Sequence, residues 1–186
     1  MSIPKKYLNH LQKNKISFEI VPHKKVYTAY DLAQTLGEKL DGVVKSLLLQ
    51  IHFPKITKKK PGYYVVAVPA GMQVDFNQIK KELKALKVEL APERVMKRLK
   101  IEPGTLPPIA SIHEFELLLD KSLMRAKNIL MRAGSLTESL RMNVKDLHKI
   151  EAPLVGIFGK KMSGKKCCQP KKKVIKKKKV VSRKKK

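Results

Sequence analysis

The chain has 186 residues, with 42 Lys and Arg against 15 Asp and Glu, and a formal net charge of +27. That balance argues against an enzyme for cationic substrates and for an anionic partner, nucleic acid above all. Fifteen of the cations fall within 160–186, which holds no acid, so 1–159 retains 27 cations against 15 anions and stays basic at +12.

From Pro4 to Asn14 the spacing of Tyr7, Leu8 and Leu11 predicts a helix, and Ser17 to Val21 predicts a short extended stretch. Thr28 opens a second helix, with Asp31 three residues on as a weak capping box. Leu32, Ala33 and Leu36 form its apolar stripe, and Gly37 stops it. Val43 to Ile51 is apolar on nearly both faces, which predicts a central strand. A Lys/Pro/Gly connection leads to a second strand, Tyr63 to Val68, as a long hairpin or a crossover. Asp75 begins a helix with Gln78 in the capping-box position and Ile79, Leu83 and Leu86 at core spacing. Pro92 suits the first position of a short helix through Leu99, and the three prolines of Glu102 to Pro108 make that segment a loop. Strands are expected at 115–119, 128–132 and 139–142, then a helix from Asn143 that buries Val144, Leu147 and Ile150. Helices interleave irregularly with strands, so the expected class is mixed α/β or α+β rather than a doubly wound sheet.

From Gly159 the composition changes to Lys blocks broken by Val174-Ile175 and Val180-Val181, too few apolar residues to bury a core. The expected division is a folded domain over 1–158 and a disordered basic tail over 159–186. Cys167 and Cys168 are adjacent in that tail, without the second pair a disulfide framework or zinc site needs, so they read as free thiols. Met1 to Leu11 lacks the apolar stretch of a secretory signal, and no apolar run reaches bilayer length; a cytoplasmic location and no membrane partner are expected.

No GxGxxG, HExxH or GxSxG motif occurs. Gly37 and Gly42 precede Lys45-Ser46, but Val43 and Val44 intervene, which breaks the phosphate-loop pattern. Lys45 shares a strand face with Val43, Leu47, Leu49 and Ile51. An amine held on such a face loses hydration, which lowers its pKa and suits it to accept a proton; the plainer reading is a lysine whose amine escapes to water at the sheet edge. In Glu102 to Pro108, Gly104 permits close backbone approach, and amides of Gly104 and Thr105 on a stiff loop can hold a carbonyl oxygen; an ordinary proline-rich turn is the alternative. Ala133 to Ser139 either lines a pocket or makes a hairpin turn. Tyr27, Tyr30, Tyr63 and Tyr64 can stack a base or pack.

These pieces occur in one order: His23…Tyr27-Thr28-Ala29, Val43-Val44-Lys45-Ser46-Leu47, Pro103-Gly104-Thr105-Leu106-Pro107-Pro108, Asp120-Lys121-Ser122-Leu123, and Ala133-Gly134-Ser135-x-Thr137-Glu138-Ser139-x-Arg141-Met142. In that order they resemble the YbaK/prolyl-tRNA-synthetase-associated editing domain family over about residues 15–150. The resemblance implies a compact mixed β-barrel flanked by helices that hydrolyses the ester of mischarged aminoacyl-tRNA in trans. It implies Lys45 as the central catalytic residue, acting as general base or positioning group. His23, Thr28, Gly104, Thr105, Pro108, Gly134, Ser135 and Ser139 are implied as substrate-binding, with no metal or cofactor. The chain departs from the family at Ser139, where some cysteine-editing members carry aspartate, and at Arg132, where they carry serine.

The leading expectation is therefore a trans-editing deacylase whose tRNA is held more tightly by the basic tail. The competing one is a catalytically silent module that binds RNA or DNA through that tail. The deacylase reading expects the Lys45 amine in a dry cavity beside the Gly104 loop.

Overall fold

A computed structural model describes residues 2–54 and 62–161. The elements run in the order α1 (Lys5–Lys13), β1 (Phe18–Pro22), α2 (Ala29–Leu36), β2 (Val44–His52), β3 (Gly62–Pro69), β4 (Met72–Val74), α3 (Phe76–Glu82), β5 (Lys87–Leu90), α4 (Glu93–Arg98), β6 (Glu116–Asp120), β7 (Asn128–Arg132), β8 (Glu138–Asn143), α5 (Val144–Glu151), β9 (Leu154–Gly156) and β10 (Gly159–Lys161). The protein is of the mixed α/β class.

Three sheets form the frame. The largest has the order β5-β2-β3-β6-β9, antiparallel except where β6 pairs with β3 and β9. An antiparallel β1-β8-β7 sheet and a β4–β10 pair complete it. A bridge between Val43 and Leu130, with the Leu130 amide donating to the Gly42 carbonyl at 2.8 Å, ties the start of β2 to β7. β2 and β3 are one antiparallel hairpin, and β3, not β2, is the middle strand of its sheet.

The period of two explains why these strands read as continuously apolar. Val44 and Leu48 of β2, with Val65 and Ala67 of β3, enter one cluster with Leu140 and Met142 of β8 and Tyr7 and Leu11 of α1. Leu49 and Ile51, with Val66 and Val68, enter a second cluster with Ile79 of α3 and Phe158. Both faces are covered, so neither alternates with polar residues.

The helix ends follow local chemistry. Thr28 Oγ1 accepts from the Asp31 amide at 3.0 Å, and Gly37, at φ +68°, ends α2 in the left-handed region. Asp75 Oδ1 accepts from the Asn77 and Gln78 amides at 3.0 and 3.1 Å. The box does not close, because Gln78 turns to Glu82 and the Asp75 amide donates to Phe158. α3 stops at Glu82, so Leu86 leaves the helical stripe and is 57% exposed rather than core. Pro92 lies one position before α4, at its cap. Val144 and Leu147 of α5 are buried, while Ile150 is only partly so.

Gly159–Lys161 form a strand against β4, which carries the folded part three residues past the expected boundary at 158. The buried Asp120 explains this order. Its Oδ2 accepts from the Phe158 and Gly159 amides at 2.8 and 2.7 Å, and its Oδ1 accepts from the Ser122 amide and hydroxyl. The rest of the basic tail, including both cysteines, and most of the Lys/Pro/Gly connection lie outside the described residues. Among the described residues no helix is long and apolar enough to cross a membrane.

Candidate active site

Backbone hydrogen bonds draw three of the loops singled out in the sequence into one patch. The His23 amide donates to the Thr137 carbonyl at 2.8 Å and the Val26 amide to Leu136 at 3.1 Å. The Gly134 amide donates to the Thr105 carbonyl at 2.8 Å. Gly104, at φ +80°, brings its backbone so close to the Tyr27 carbonyl that an added Cβ would stand 2.6 Å from that oxygen. Only glycine satisfies both the dihedral and the approach.

Within this patch His23 and Ser139 are partners. His23 Nε2 and Ser139 Oγ are 2.8 Å apart, and His23 Nδ1 is 2.8 Å from the Lys24 carbonyl. A carbonyl only accepts, so Nδ1 carries a proton, and in the neutral ring Nε2 accepts from the Ser139 hydroxyl. Ser139 is fully buried and His23 is half-buried.

The other implied contacts have structural work. The Thr28 hydroxyl caps α2. Thr105 is buried, with both its hydroxyl and its amide donating to the Glu102 carbonyl at 2.8 and 3.1 Å. Its amide is thus not free to hold an oxyanion, which corrects that expectation and leaves the exposed Gly104 as the available part of the loop. Pro108 is buried in the core behind the loop. Ser135 Oγ accepts from the Thr137 and Glu138 amides, a turn-forming role. Gly134, at φ +78°, packs against Pro4 and Tyr7 of the first helix.

Lys45 stands in a different place. Its amine is half-buried and donates to the Met72 carbonyl of β4, and burial lowers its pKa from the ordinary lysine value. The amine is thus tied to the backbone of β4 and only partly open to water. The expectation of an amine beside the Gly104 loop is corrected in detail: Lys45 follows the Leu49 face of β2, whereas Leu106 and Ile101 of the loop belong to the Val44 and Leu48 cluster. Its neighbours Ser46, Leu47 and Leu48 line a cavity of about 260 Å³ with Gly104, Leu106 and Met96. β5 pairs with β2 only over Leu49–His52, and the Ala91 amide donates to the Leu48 carbonyl at 2.9 Å, so β5 leaves residues 45–47 unpaired on that edge. A larger cleft, of about 600 Å³, has Gly42, Pro69 and Met72, the acceptor of the Lys45 amine, in its walls. Gly42, in the turn before β2, lines the large cleft, and Ser46, on β2, lines the small one. Lys45 falls between them in sequence but lines neither cavity.

The contacts of two residues of this region escaped the sequence reading. Arg132 is buried, donating through its Nη atoms to the carbonyls of Ser135, Val26 and Thr28, at 3.1, 2.9 and 3.4 Å. It latches the 23–28 loop to the 132–137 turn. Met72, the acceptor for Lys45, lies in a three-residue strand with no pattern of its own.

Comparison with known protein families shows which one this chain matches. Residues 23–150 match the family model of the aminoacyl-tRNA editing domain. The prolyl-tRNA editing protein ProX of Acetoanaerobium sticklandii is 24% identical over 145 residues, 75% of this chain and 85% of that protein. A proline–tRNA ligase of Thermosipho melanesiensis is 28% identical over 114 residues, 61% of this chain but only 19% of the ligase. Among solved structures, one described as a candidate trans-editing enzyme for prolyl tRNA synthetase shares the fold with a TM-score of 0.67 at 19% identity, over 84% of this chain and 96% of that one.

Proposed function

The chain belongs to the aminoacyl-tRNA editing domain family and is an aminoacyl-tRNA deacylase; from that premise we propose that it acts in trans, in the cytoplasm, on mischarged prolyl-tRNA, with Lys45 as its proton acceptor. The observation that carries the assignment of Lys45 is its amine, half-buried, lowered in pKa and held by the carbonyl of Met72, a residue in the wall of the larger cleft. The names of the relatives support the choice of tRNA.

In this reading the chemistry is carried by the deprotonated form of Lys45, which a lowered pKa makes more accessible. With one N–H engaged by Met72, the nitrogen lone pair takes a proton from water as the water oxygen adds to the ester carbonyl. The tetrahedral intermediate collapses, the ester C–O bond breaks, and the proton passes to the departing ribose oxygen. The products are the free amino acid and uncharged tRNA. The exposed Gly104 segment is proposed to shape the aminoacyl pocket, and the His23–Ser139 pair to fix the wall beside it. The segment 162–186, with thirteen Lys and Arg, is proposed to add phosphate contacts without base readout.

The test is a deacylation panel: tRNA charged with Ala, Ser, Cys, Thr or Pro, offered to the wild type and to Lys45→Ala. Hydrolysis of one mischarged species, lost in the variant, supports the reading. The high positive charge favours one competitor, a nucleic-acid-binding module without chemistry. That competitor requires both proteins to be inactive while binding RNA equally.

A further inference from the structure

The 600 Å³ cleft carries more positive charge than its walls balance. Lys39, Arg125 and Lys161 all line it, and all three side chains are exposed. Among the described residues none of the three enters a salt bridge. Two acids also line the cleft, but Glu38 is occupied by Arg141 at 2.6 Å, so only Asp41 opposes the three cations.

The position of these cations has a direction to it. Lys39 comes from the turn between α2 and β2, where Gly37 and Gly42 leave the wall low; a side chain on Gly37 would meet nothing within 4 Å. Arg125 ends the short turn that Asp120 and Ser122 anchor. Lys161 is the last residue of β10, and the chain passes from it directly into the Lys-rich segment. β10 pairs with β4 in the register Lys161↔Met72, and Met72 is the residue whose carbonyl holds the Lys45 amine. One ladder therefore links the root of the basic segment, the cleft wall and Lys45.

We propose that this cleft seats the phosphodiester backbone of the single-stranded 3′ end of tRNA, with Lys39, Arg125 and Lys161 as its phosphate contacts and Lys161 passing the strand to the basic segment beyond. The proposal rests on the reading of the protein as a tRNA deacylase. It extends that reading by naming the surface along which the RNA reaches Lys45. Exposed cations around an open groove with glycine walls suit a backbone read by charge and not by base edges.

The experiment measures affinity of the full chain for uncharged tRNA as a function of salt, for the wild type and for Lys39→Gln/Arg125→Gln/Lys161→Gln. Single-strand contacts each add about 0.7 to the log–log salt slope. Removing three should flatten the slope by roughly 2 and shrink the wild-type advantage about twentyfold between 50 and 200 mM salt. The same tRNA shortened by its single-stranded 3′ end should bind both proteins alike. The charge-conserving triple Lys39→Arg/Arg125→Lys/Lys161→Arg should restore the wild-type slope, which excludes a folding defect as the cause. An unchanged slope in the Gln variant, or an equal loss on intact and shortened tRNA, overturns the proposal. A wild type that binds as described but hydrolyses no charged tRNA would sink the deacylase reading and leave this surface standing.

Discussion

At the scale of single residues, Lys45 carries a charge the fold does not welcome. Burial lowers its pKa, so the folded chain gives up this proton at a lower pH than the unfolded chain. Between the folded value and the ordinary lysine value the unfolded chain binds more protons, and stability rises with pH across that window. Below it the desolvation cost is constant. Lys45→Met removes that cost and should melt at or above the wild-type temperature at pH 7, with the gap closing as pH rises through the window. The same variant should be inactive. A clear loss of stability would mean that the amine is there for the fold. In the wild type the deacylation rate should climb with pH toward a plateau set by the neutral amine, with its midpoint below the usual lysine value.

Gly104 gives a second prediction at this scale. Gly104→Ala places a Cβ 2.6 Å from the Tyr27 carbonyl at φ +80°. The expected cost is about 1–3 kcal/mol, read by denaturant melting, together with impaired hydrolysis as the 23–28 loop moves. Ser139→Ala deletes the hydroxyl that holds His23, which should cost about 1 kcal/mol and raise KM more than it lowers kcat if the pair only shapes the wall.

At the scale of elements, the features legible in the sequence are those with local causes. The Thr28 cap, the Gly37 stop, the Asp75 cap and the long apolar strands β2 and β3 all follow from residues a few positions apart. β4, β5 and β10 were not legible, because three or four residues carry no period and their partners are remote in the chain. Leu86 was misread for a related reason: helical spacing continued on paper past Glu82, where the chain turns at Lys84, φ +51°, to begin β5. The Asp120-Lys121-Ser122-Leu123 motif was visible as a family signature, but its work became clear only through the Phe158 and Gly159 amides it holds. This clamp predicts the outcome of truncation. A chain ending at Lys161 should keep its stability, whereas one ending at Phe158 loses the β4–β10 pairing and the Gly159 bond, and should melt several degrees lower.

At the scale of the whole molecule, charge and pocket divide the labour. Four of the five family motifs lie on or beside the Gly104 and Ser139 loops or the Asp120 clamp, and the fifth sets Lys45 near the start of β2 with its amine on the Met72 carbonyl. The order of those motifs was readable; that Lys45 turns toward Met72 was not, since the contact spans 27 positions and depends on a strand the pattern does not reveal. The role of Arg132, noted in the sequence only as a departure from the family, escaped for the same reason, since its partners are carbonyls of a distant loop. The +12 of residues 1–159 should attract tRNA even before the basic extension is counted. Deleting 162–186 should therefore weaken tRNA binding at physiological salt and leave turnover at saturating tRNA unchanged.

The measurement that tests the central claim most directly is single-turnover hydrolysis of a mischarged prolyl-tRNA by the wild type and by Lys45→Ala, with tRNA binding followed in the same samples. The account predicts a wild-type rate well above the uncatalysed ester and a variant that binds the tRNA equally but hydrolyses it no faster than buffer. A variant that retains the wild-type rate would contradict it.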